Sequence, residues 1–291
     1  MGIHTLAWGA HRLSFGQRTY IMGVLNVTPD SFSDGGRFYQ CDAAVAQGLK
    51  LVQAGADILD IGGESTRPFS DPLSVEEEIR RVLPVIKKLS PQISIPISID
   101  TTKVRVARQA LEAGAAMIND IGALRFDPDM ARVAAEYQVP IILMHMKGTP
   151  TNMQVAPRYD NLMADIKSFL SEAAARAQAG GVPRTHIIID PGIGFGKTFQ
   201  HNLVIINQLY ELKSLGFPIL VGPSRKAFIR NSLKGEGDAD IDPESELVEA
   251  GTQAAIAAAV IRGADIVRVH NVARTRPTAA ICDAIKKAAG D

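Results

Sequence analysis

Polar side chains of a few chemically useful types follow most of the short apolar runs in this sequence. They are Asn26, Glu64, Asp100, Asn119, His145, Asp190, Arg268 and His270. Asp100, Asn119 and Asp190 together suit a flat heterocycle, because a carboxylate accepts two parallel hydrogen bonds from an amidine-like edge. Taken alone, each of these residues is more often a solvated loop residue. Only their recurrence after successive runs favours one polar pocket.

Cationic side chains toward the end of the sequence indicate an anion site. The run GPSRK ends in Lys226, and the run IVRVH contains Arg268 and His270. Side chains two residues apart on a strand point the same way, so Arg268 and His270 share a face. Lone basic residues are usually surface charges, but Arg268 lies among apolar residues, where a purely solvated role would be wasteful of burial.

The glycine-rich run DPGIGFGK at 190–197 resembles two nucleotide-binding motifs and matches neither. A P-loop needs glycine where Pro191 stands, and the dinucleotide fingerprint needs glycine where Lys197 stands. What remains is the carboxylate of Asp190, glycines that let backbone approach a ligand, and Phe195. We expect Phe195 to face the ligand or to pack beneath it.

Two polar loops follow the first two apolar runs. The first, NVTPDSFSDGG at 26–36, carries Phe32 in a polar setting, which favours a mobile lid, although an ordinary loop explains its Pro, Asp and Gly residues. The second, ESTRP at 64–68, combines an arginine with two hydroxyl groups and suits an anion or an aromatic substrate. A capped helix start is the alternative for this second loop.

The composition argues against several classes of protein. The chain has 291 residues, and its 31 Lys+Arg balance 31 Asp+Glu, so no net charge holds it to nucleic acid or to a membrane surface. The longest apolar run, at 254–261, is far shorter than the roughly 20 residues that span a bilayer. Cys41 and Cys282 form neither a disulfide framework nor a zinc motif, so we expect a cytoplasmic protein.

Strand and helix signals alternate along the chain. Segments of helical period separate eight β-rich runs, which lie at 20–25, 57–61, 95–99, 116–118, 139–144, 186–189, 218–221 and 264–269. Three helix-to-strand joints place glycine at 55, 114 and 263, where it tolerates the left-handed conformation that ends a helix. The pattern predicts an α/β fold, a (β/α)8 TIM barrel, as one domain over 1–291 with a short N-terminal extension over about 1–18.

A doubly wound open sheet is the competing fold. In a (β/α)8 barrel the carboxyl ends of all strands converge on one mouth, so scattered sequence positions line one pocket. An open sheet would spread the same residues along an edge. The polar residues after nearly every run therefore favour the barrel.

The motifs resemble those of the dihydropteroate synthase family. The matching stretches, between about 22 and 272, are NVTPDSFSDGG, GGESTRP, IDT, ND, MH, GTP, MQ, DPGIGFGK, GPSRK and RVH. The resemblance implies a pterin-binding TIM barrel, a transferase of folate biosynthesis that uses Mg²⁺. Such an enzyme condenses 6-hydroxymethyl-7,8-dihydropterin diphosphate with 4-aminobenzoate to 7,8-dihydropteroate and pyrophosphate. The resemblance also favours a homodimer in which sulfonamides compete with aminobenzoate.

The same resemblance assigns roles by position. Pterin binding falls to Asp100, Asn119, Met144, Asp190, Phe195, Gly222 and Lys226. Diphosphate binding falls to Asn26, Arg67, Arg268 and His270, with Mg²⁺ also placed on Asn26. Aminobenzoate binding falls to Phe32, Thr66, Pro68, Phe195 and Ser224. The residues expected to act in catalysis are Asp100, Lys226, Arg268 and His270.

The implied chemistry is a dissociative, SN1-like alkyl transfer without a protein nucleophile. Departure of pyrophosphate leaves a carbocation that the dihydropterin delocalises, so the protein must mainly stabilise the leaving anion and position the amine. Phe69, Arg230 and Asn271 depart from the family pattern and bear on loop closure or on the subunit contact rather than on the reaction.

Two other functions compete with this one. A corrinoid-linked methyltetrahydrofolate methyltransferase shares the pterin-binding barrel, but it has no reason for the diphosphate-type end at Arg268 and His270 or for the first loop. A non-catalytic pterin-binding module is the alternative outside enzyme classes.

Overall fold

The structure is a computed structural model and describes residues 4–28, 37–64, 73–149, 153, 157–235 and 239–288. The strands are β1 (His4–Trp8), β2 (His11–Phe15), β3 (Tyr20–Asn26), β4 (Ile58–Gly62), β5 (Ile97–Asp100), β6 (Met117–Asp120), β7 (Ile141–Met144), β8 (Ile187–Asp190), β9 (Leu220–Val221) and β10 (Ile266–Val269). The helices are α1 (Arg37–Gln53), α2 (Val75–Leu89), α3 (Val104–Glu112), α4 (Met130–Glu136), α5 (Leu162–Ala179), α6 (Phe199–Asn207), α7 (Ala227–Leu233), α8 (Glu246–Ile261) and α9 (Val272–Ala288).

Strands β3 to β10 form one parallel sheet that closes on itself. Neighbouring strands follow the order β8-β7-β6-β5-β4-β3-β10-β9. A parallel bridge between Ile189 of β8 and Ile219 beside β9 joins the two ends of this series. Each predicted β-rich run overlaps one of these strands. The (β/α)8 barrel is therefore confirmed, and the open sheet is excluded.

Helix α2 illustrates how the sequence specifies the outer layer. Ser74 caps the helix, because its side chain accepts a hydrogen bond of 3.2 Å from the backbone N–H of Glu77. Lys87 and Lys88 in the last turn complement the helix dipole. The apolar residues that recur at helical spacing and are buried are Val82, Val85, Ile86 and Leu89. This stripe packs onto the barrel, while the opposite face is charged.

The three glycine joints adopt the predicted conformation. Gly55, Gly114 and Gly263 have φ angles of +95°, +112° and +109°. At Gly114 a side chain would be strained and would also meet Ser90, whose Oγ would lie 2.6 Å from an added Cβ atom. Each joint thus ends a helix and turns the chain into the next strand.

An antiparallel hairpin precedes the barrel, where the sequence predicted only an extension. Strands β1 and β2 pair from His4 with Phe15 to Trp8 with His11. The indole N–H of Trp8 donates a hydrogen bond of 2.7 Å to the carbonyl of Ala116, just before β6. The hairpin side chains buried against the barrel are Leu6, Trp8, Leu13 and Phe15. The hairpin therefore covers the amino-terminal end of the barrel, opposite the predicted site.

One continuous apolar cluster runs through the barrel and its helices, and a smaller one lies apart from it. The smaller cluster consists of Ile121, Met144, Met146, Met153 and Phe195. All five residues lie at or beyond the carboxyl ends of β6, β7 and β8. Within the part of the chain that the structure describes, no helix is both long and apolar enough to cross a membrane.

Candidate active site

The strand register aligns three predicted site residues, Asn26, Asp100 and Asn119, with Gly62 at the carboxyl end of the barrel. Asn26 of β3 pairs with Gly62 of β4, Gly62 with Asp100 of β5, and Asp100 with Asn119 of β6. In-register positions of parallel strands share a face of the sheet. Barrel closure thus places these residues in one row at the mouth.

Arg268 lies at the centre of the site, between two carboxylates. Its Nε donates a hydrogen bond of 2.7 Å to Asp60 Oδ2, and its Nη2 donates one of 2.8 Å to Asp100 Oδ2. Asp60 also accepts a hydrogen bond of 3.1 Å from Nδ2 of Asn119. The structure therefore joins Asp100 and Asn119, two of the predicted pterin residues, to Arg268, one of the predicted diphosphate residues, through one largely buried network.

Asp60 is the functional candidate that the sequence analysis missed. It stands in the middle of the apolar strand ILDIG and is completely buried. Like Arg268, Asp60 is a charged residue inside an apolar run, where burial is unfavourable without a partner. That pattern could have identified Asp60, although not its partners.

Two predicted pterin-binding carboxyl groups have raised pKa values. Burial raises the pKa of Asp100 to about 7; Arg268 opposes this rise, and the charge of Asp60 adds to it. Burial also raises the pKa of Asp190 to about 6, against a hydrogen bond of 2.7 Å from the Gly192 backbone N–H. Both groups therefore gain from a ligand that presents hydrogen-bond donors or positive charge.

Lys226 supplies a cation beside these carboxyl groups. Burial and the charge of Arg268 lower the pKa of Lys226 to about 8, while Asp190 and Asp100 oppose the change. Its Nζ lies 4.3 Å from the centre of the Phe195 ring, a cation–π distance. Lys226, Asp190 and Phe195 thus meet on the β8 and β9 side of the mouth.

The lysine of the glycine-rich run, Lys197, is buried among the loops that follow β7 and β8. Lys197 Nζ is buried and lies 2.9 Å from His145 Nδ1 and 2.9 Å from the carbonyl oxygen of Phe195. Burial lowers the pKa of Lys197 to about 7 and, together with Lys197, lowers that of His145 to about 2. Gly192, at φ +69°, approaches the His145 carbonyl so closely that a Cβ atom would collide with it. These contacts tie the loops after β7 and β8 together.

Ser224 and His270 lie together after β9 and β10. Ser224 Oγ is 2.9 Å from His270 Nδ1, and it accepts a hydrogen bond of 3.3 Å from the His270 backbone N–H. The predicted diphosphate residues thus have different neighbours, since Arg268 contacts carboxylates and His270 contacts a hydroxyl group. Gly222 lies against Arg268, where an added Cβ atom would stand 3.6 Å from Arg268 Cβ. A Cβ atom at 222 would therefore make ordinary van der Waals contact with the arginine.

Four predicted site residues lie outside the described residues. They are Phe32, Thr66, Arg67 and Pro68, and the departing position Phe69 lies outside as well. Of the other departing positions, Arg230 forms an ion pair with Asp240, its Nε lying 3.1 Å from the carboxylate. The Asn271 side chain accepts a hydrogen bond of 3.1 Å from the Arg274 backbone N–H at the start of α9. Both departing side chains therefore make local contacts, Arg230 from α7 and Asn271 at the start of α9.

A second charged cluster lies beside the mouth. Lys103 Nζ lies 2.6 Å from Glu78 Oε2 and 2.5 Å from Glu64 Oε2. Glu78 is completely buried, whereas Glu64 is partly exposed and also accepts a hydrogen bond of 2.9 Å from the Leu73 backbone N–H. Lys103 is thus the cation that compensates a buried carboxylate.

Replacing Lys103 with methionine is expected to lower the free energy of unfolding by about 3 kcal/mol, because it leaves the Glu78 charge buried and unpaired. Urea unfolding measures the difference. Lys88→Met is the matched control, since the Lys88–Asp42 pair is exposed and its loss should be undetectable. Equal stabilities of the two variants would contradict the assignment of Lys103.

Comparisons with known proteins agree with the geometry of the site. A family model described as pterin binding enzyme matches residues 22–270. The dihydropteroate synthase of Synechocystis is 47% identical over 277 residues, which cover 95% of this chain and 93% of that protein. The structure of the dihydropteroate synthase of Xanthomonas albilineans with 4-aminobenzoic acid has a TM-score of 0.88 at 43% identity. The match covers 98% of this chain and 99% of that one.

A second structure of the Xanthomonas albilineans enzyme was solved in complex with 7,8-dihydropteroate. It has a TM-score of 0.82 at 42% identity, and the match covers 94% of this chain and 96% of that one. Relatives at these identities, matched over nearly their whole length, confirm the resemblance seen in the motifs. This chain belongs to the pterin-binding enzymes and, among them, to the dihydropteroate synthases.

Proposed function

We propose that this chain uses the network around Arg268 to condense 6-hydroxymethyl-7,8-dihydropterin diphosphate with 4-aminobenzoate. The observation that carries the proposal is that Arg268 contacts Asp100 directly and Asn119 through Asp60. A ring-binding end and an anion-binding end are thus contiguous, as a substrate with a flat ring and a charged tail requires. The whole chain acts as one catalytic barrel.

The pterin lies among Asp100, Asn119 and Asp190, with Lys226 beside it. The raised pKa values of the two carboxyl groups mean that the protein does not fully compensate the cost of burying their charge before the ring binds. Donors on the pterin edge compensate it, and charge-assisted hydrogen bonds of this kind contribute about 1.5 to 3 kcal/mol each. The apolar floor that supports the ring includes Met144 and Phe195.

The diphosphate lies toward Arg268 and His270. Its departure breaks the bond between the pterin methylene carbon and oxygen, and the electron pair leaves with pyrophosphate. The dihydropterin ring delocalises the resulting positive charge. The amine of 4-aminobenzoate then forms the new carbon–nitrogen bond, and the proton that it loses passes to the pyrophosphate anion. Arg268 favours the step because a fixed guanidinium stabilises charge that develops on the leaving group.

Magnesium fits the end of β3. Asn26 is exposed there, and its amide oxygen is the type of ligand that Mg²⁺ accepts. Mg²⁺ usually combines one or two protein ligands with substrate phosphate oxygens and water. When bound, it would neutralise charge on the departing diphosphate. Asn26 is therefore the residue of this chain that we expect to hold the metal.

The aminobenzoate subsite includes Phe195 and Ser224, together with Phe32, Thr66 and Pro68 from the two loops. Sulfonamides, which present the same aromatic amine, compete at this subsite. The proposal places the enzyme in the cytoplasm, where the free thiols of Cys41 and Cys282 suit reducing conditions.

A homodimer joined through α6, α7 and α8 completes the proposal. The apolar run at 254–261 lies in α8 and has a buried face and an exposed face, because Ile256 and Val260 are buried whereas Ile261 is 45% exposed. An apolar groove between the three helices is lined by residues that include Ile206, Phe228, Leu233 and Ala254. A second copy would cover this groove, and light scattering measures the resulting mass.

The function is tested by mixing the protein with pterin diphosphate, 4-aminobenzoate and Mg²⁺ and measuring pyrophosphate release. We expect release that requires both substrates and the metal. A methyltransferase would instead consume methyltetrahydrofolate, and a binding module would bind the pterin without turnover. Either of these outcomes would overturn the proposal.

A further inference from the structure

Asp60 has a position that folding alone does not explain. It is completely buried inside the barrel, where branched apolar side chains usually pack. One carboxylate oxygen, Oδ2, accepts hydrogen bonds from Arg268 and Asn119. The other, Oδ1, is buried without a hydrogen-bond partner among the described residues. The two hydrogen bonds of this buried carboxylate thus both come from residues of the predicted site, and this arrangement points to function.

We propose that Asp60 is a positioning residue that orients the ring-binding amide of Asn119 and the anion-binding guanidinium of Arg268 at the same time. This inference rests on the proposed function. The three residues come from β4, β6 and β10, so no single strand could set their relative orientation. Asp60 therefore couples the two ends of the substrate site.

The effect on Asn119 follows from its amide geometry. Nδ2 donates to Asp60 at 3.1 Å, which turns the amide oxygen away from that carboxylate. The flipped amide would bring two oxygen acceptors together, which is repulsive. Asp60 thus makes Asn119 present an acceptor, which suits the N–H groups of a pterin edge.

The effect on Arg268 follows from its shared partners. Asp60 holds Nε at 2.7 Å and Asp100 holds Nη2 at 2.8 Å, so the guanidinium plane is fixed at two points. These two bonds use two of its five N–H donors. A planar group fixed in this way binds an oxyanion without losing further side-chain freedom. Removing one of the two points lets the plane rotate.

The test is Asp60→Asn, with two ligands titrated separately by calorimetry. These are 6-hydroxymethylpterin, which has no phosphate, and pyrophosphate with Mg²⁺. We expect both dissociation constants to rise about tenfold, or 1.4 kcal/mol each, because the substituted amide carries no charge for Arg268 and no longer dictates the orientation of Asn119. An unchanged constant for either ligand overturns the coupling role.

Asp57→Asn is the matched control. Asp57 lies just before the same strand and contacts two arginines, with Arg18 at 2.8 Å and Arg276 at 3.0 Å, at the opposite end of the barrel. Both dissociation constants should stay within twofold of the wild-type values. A parallel loss in this control would mean that the effect of Asp60→Asn reflects general destabilisation.

A second variant covers the case in which Asp60→Asn does not fold. Asn119→Ala keeps the Asp60 charge but frees Oδ2 from one of its partners. Pyrophosphate affinity should then fall several-fold, although Asn119 belongs to the pterin end, and unchanged affinity contradicts the inference. Wild-type turnover is measured alongside, because its absence would reject the proposed function. Normal wild-type turnover, together with variants that do not change both the pterin and the pyrophosphate affinity, rejects only the role of Asp60.

Discussion

Arg268→Ala is expected to lower kcat/KM for the pterin diphosphate about 10²- to 10³-fold, the usual cost of losing a group that stabilises developing negative charge. Most of the loss should appear in kcat, because Arg268 acts on charge that forms as the diphosphate departs. Pyrophosphate release at saturating 4-aminobenzoate measures the effect. The substitution also leaves the buried carboxylate of Asp60 and the largely buried carboxylate of Asp100 without their shared cation.

Two further variants separate chemistry from folding at this site. Arg268→Lys keeps the positive charge but cannot bridge Asp60 and Asp100 with a planar fork, so its activity should be intermediate. Arg276→Ala removes an arginine that pairs with an aspartate, Asp57, at the other end of the barrel. It should leave kcat unchanged. Full pyrophosphate release by a folded Arg268→Ala protein would contradict the role of Arg268.

Pterin affinity is expected to fall about tenfold for each pH unit below about 6, because the N–H donors of the ring bind the ionised Asp190 carboxylate far more strongly than the protonated group. Burial raises the pKa of Asp190 to about 6, and the cations that face it and oppose this rise are Lys197, Lys226 and Arg268. Calorimetric titration with 6-hydroxymethylpterin between pH 5 and pH 8 measures this acidic limb, the range of pH over which pterin affinity falls. Asp100, whose pKa burial raises to about 7, should steepen the limb.

Asp190→Asn identifies the source of that limb. The amide keeps an acceptor for the Gly192 N–H but cannot ionise, so affinity should be low throughout and its dependence on Asp190 should vanish. Asp120→Asn is the control, because burial raises the pKa of Asp120 to about 6 as well. The Asp120 carboxylate, however, accepts its hydrogen bonds from the backbone N–H groups of Gly122 and Leu124. A limb that keeps its full steepness in Asp190→Asn would assign it to Asp100 or another group.

The raised pKa of Asp190 has an opposite effect on the stability of the free protein. Between about pH 4 and pH 6 the folded state binds more protons at Asp190 than the unfolded state does. This group's contribution to the free energy of unfolding is therefore fully present below its ordinary pKa and is lost as the pH rises through about 6. The pH that favours pterin binding is thus the pH at which Asp190 favours folding least.

Much of the fold was predictable because its signals are local. The eight apolar runs, the helical stripes and the glycines at 55, 114 and 263 each depend on residues a few positions apart. The hairpin of β1 and β2 was not predicted, since its strands are short and their burial depends on a distant barrel end. Trp8, for example, reaches Ala116, which is 108 residues away.

The sequence by itself determined the alternation of strands and helices, the polar residues at the strand ends and the motifs of the family. Only the tertiary structure decided which groups neutralise one another, because closure of the barrel brings Arg268 to Asp60 and Asp100 across 208 and 168 residues. Lys197 depends on the tertiary structure in the same way, since His145, the partner of its buried ammonium group, lies 52 residues away in the sequence. Periodicity predicts which face a side chain occupies, whereas its partner depends on how distant strands come together.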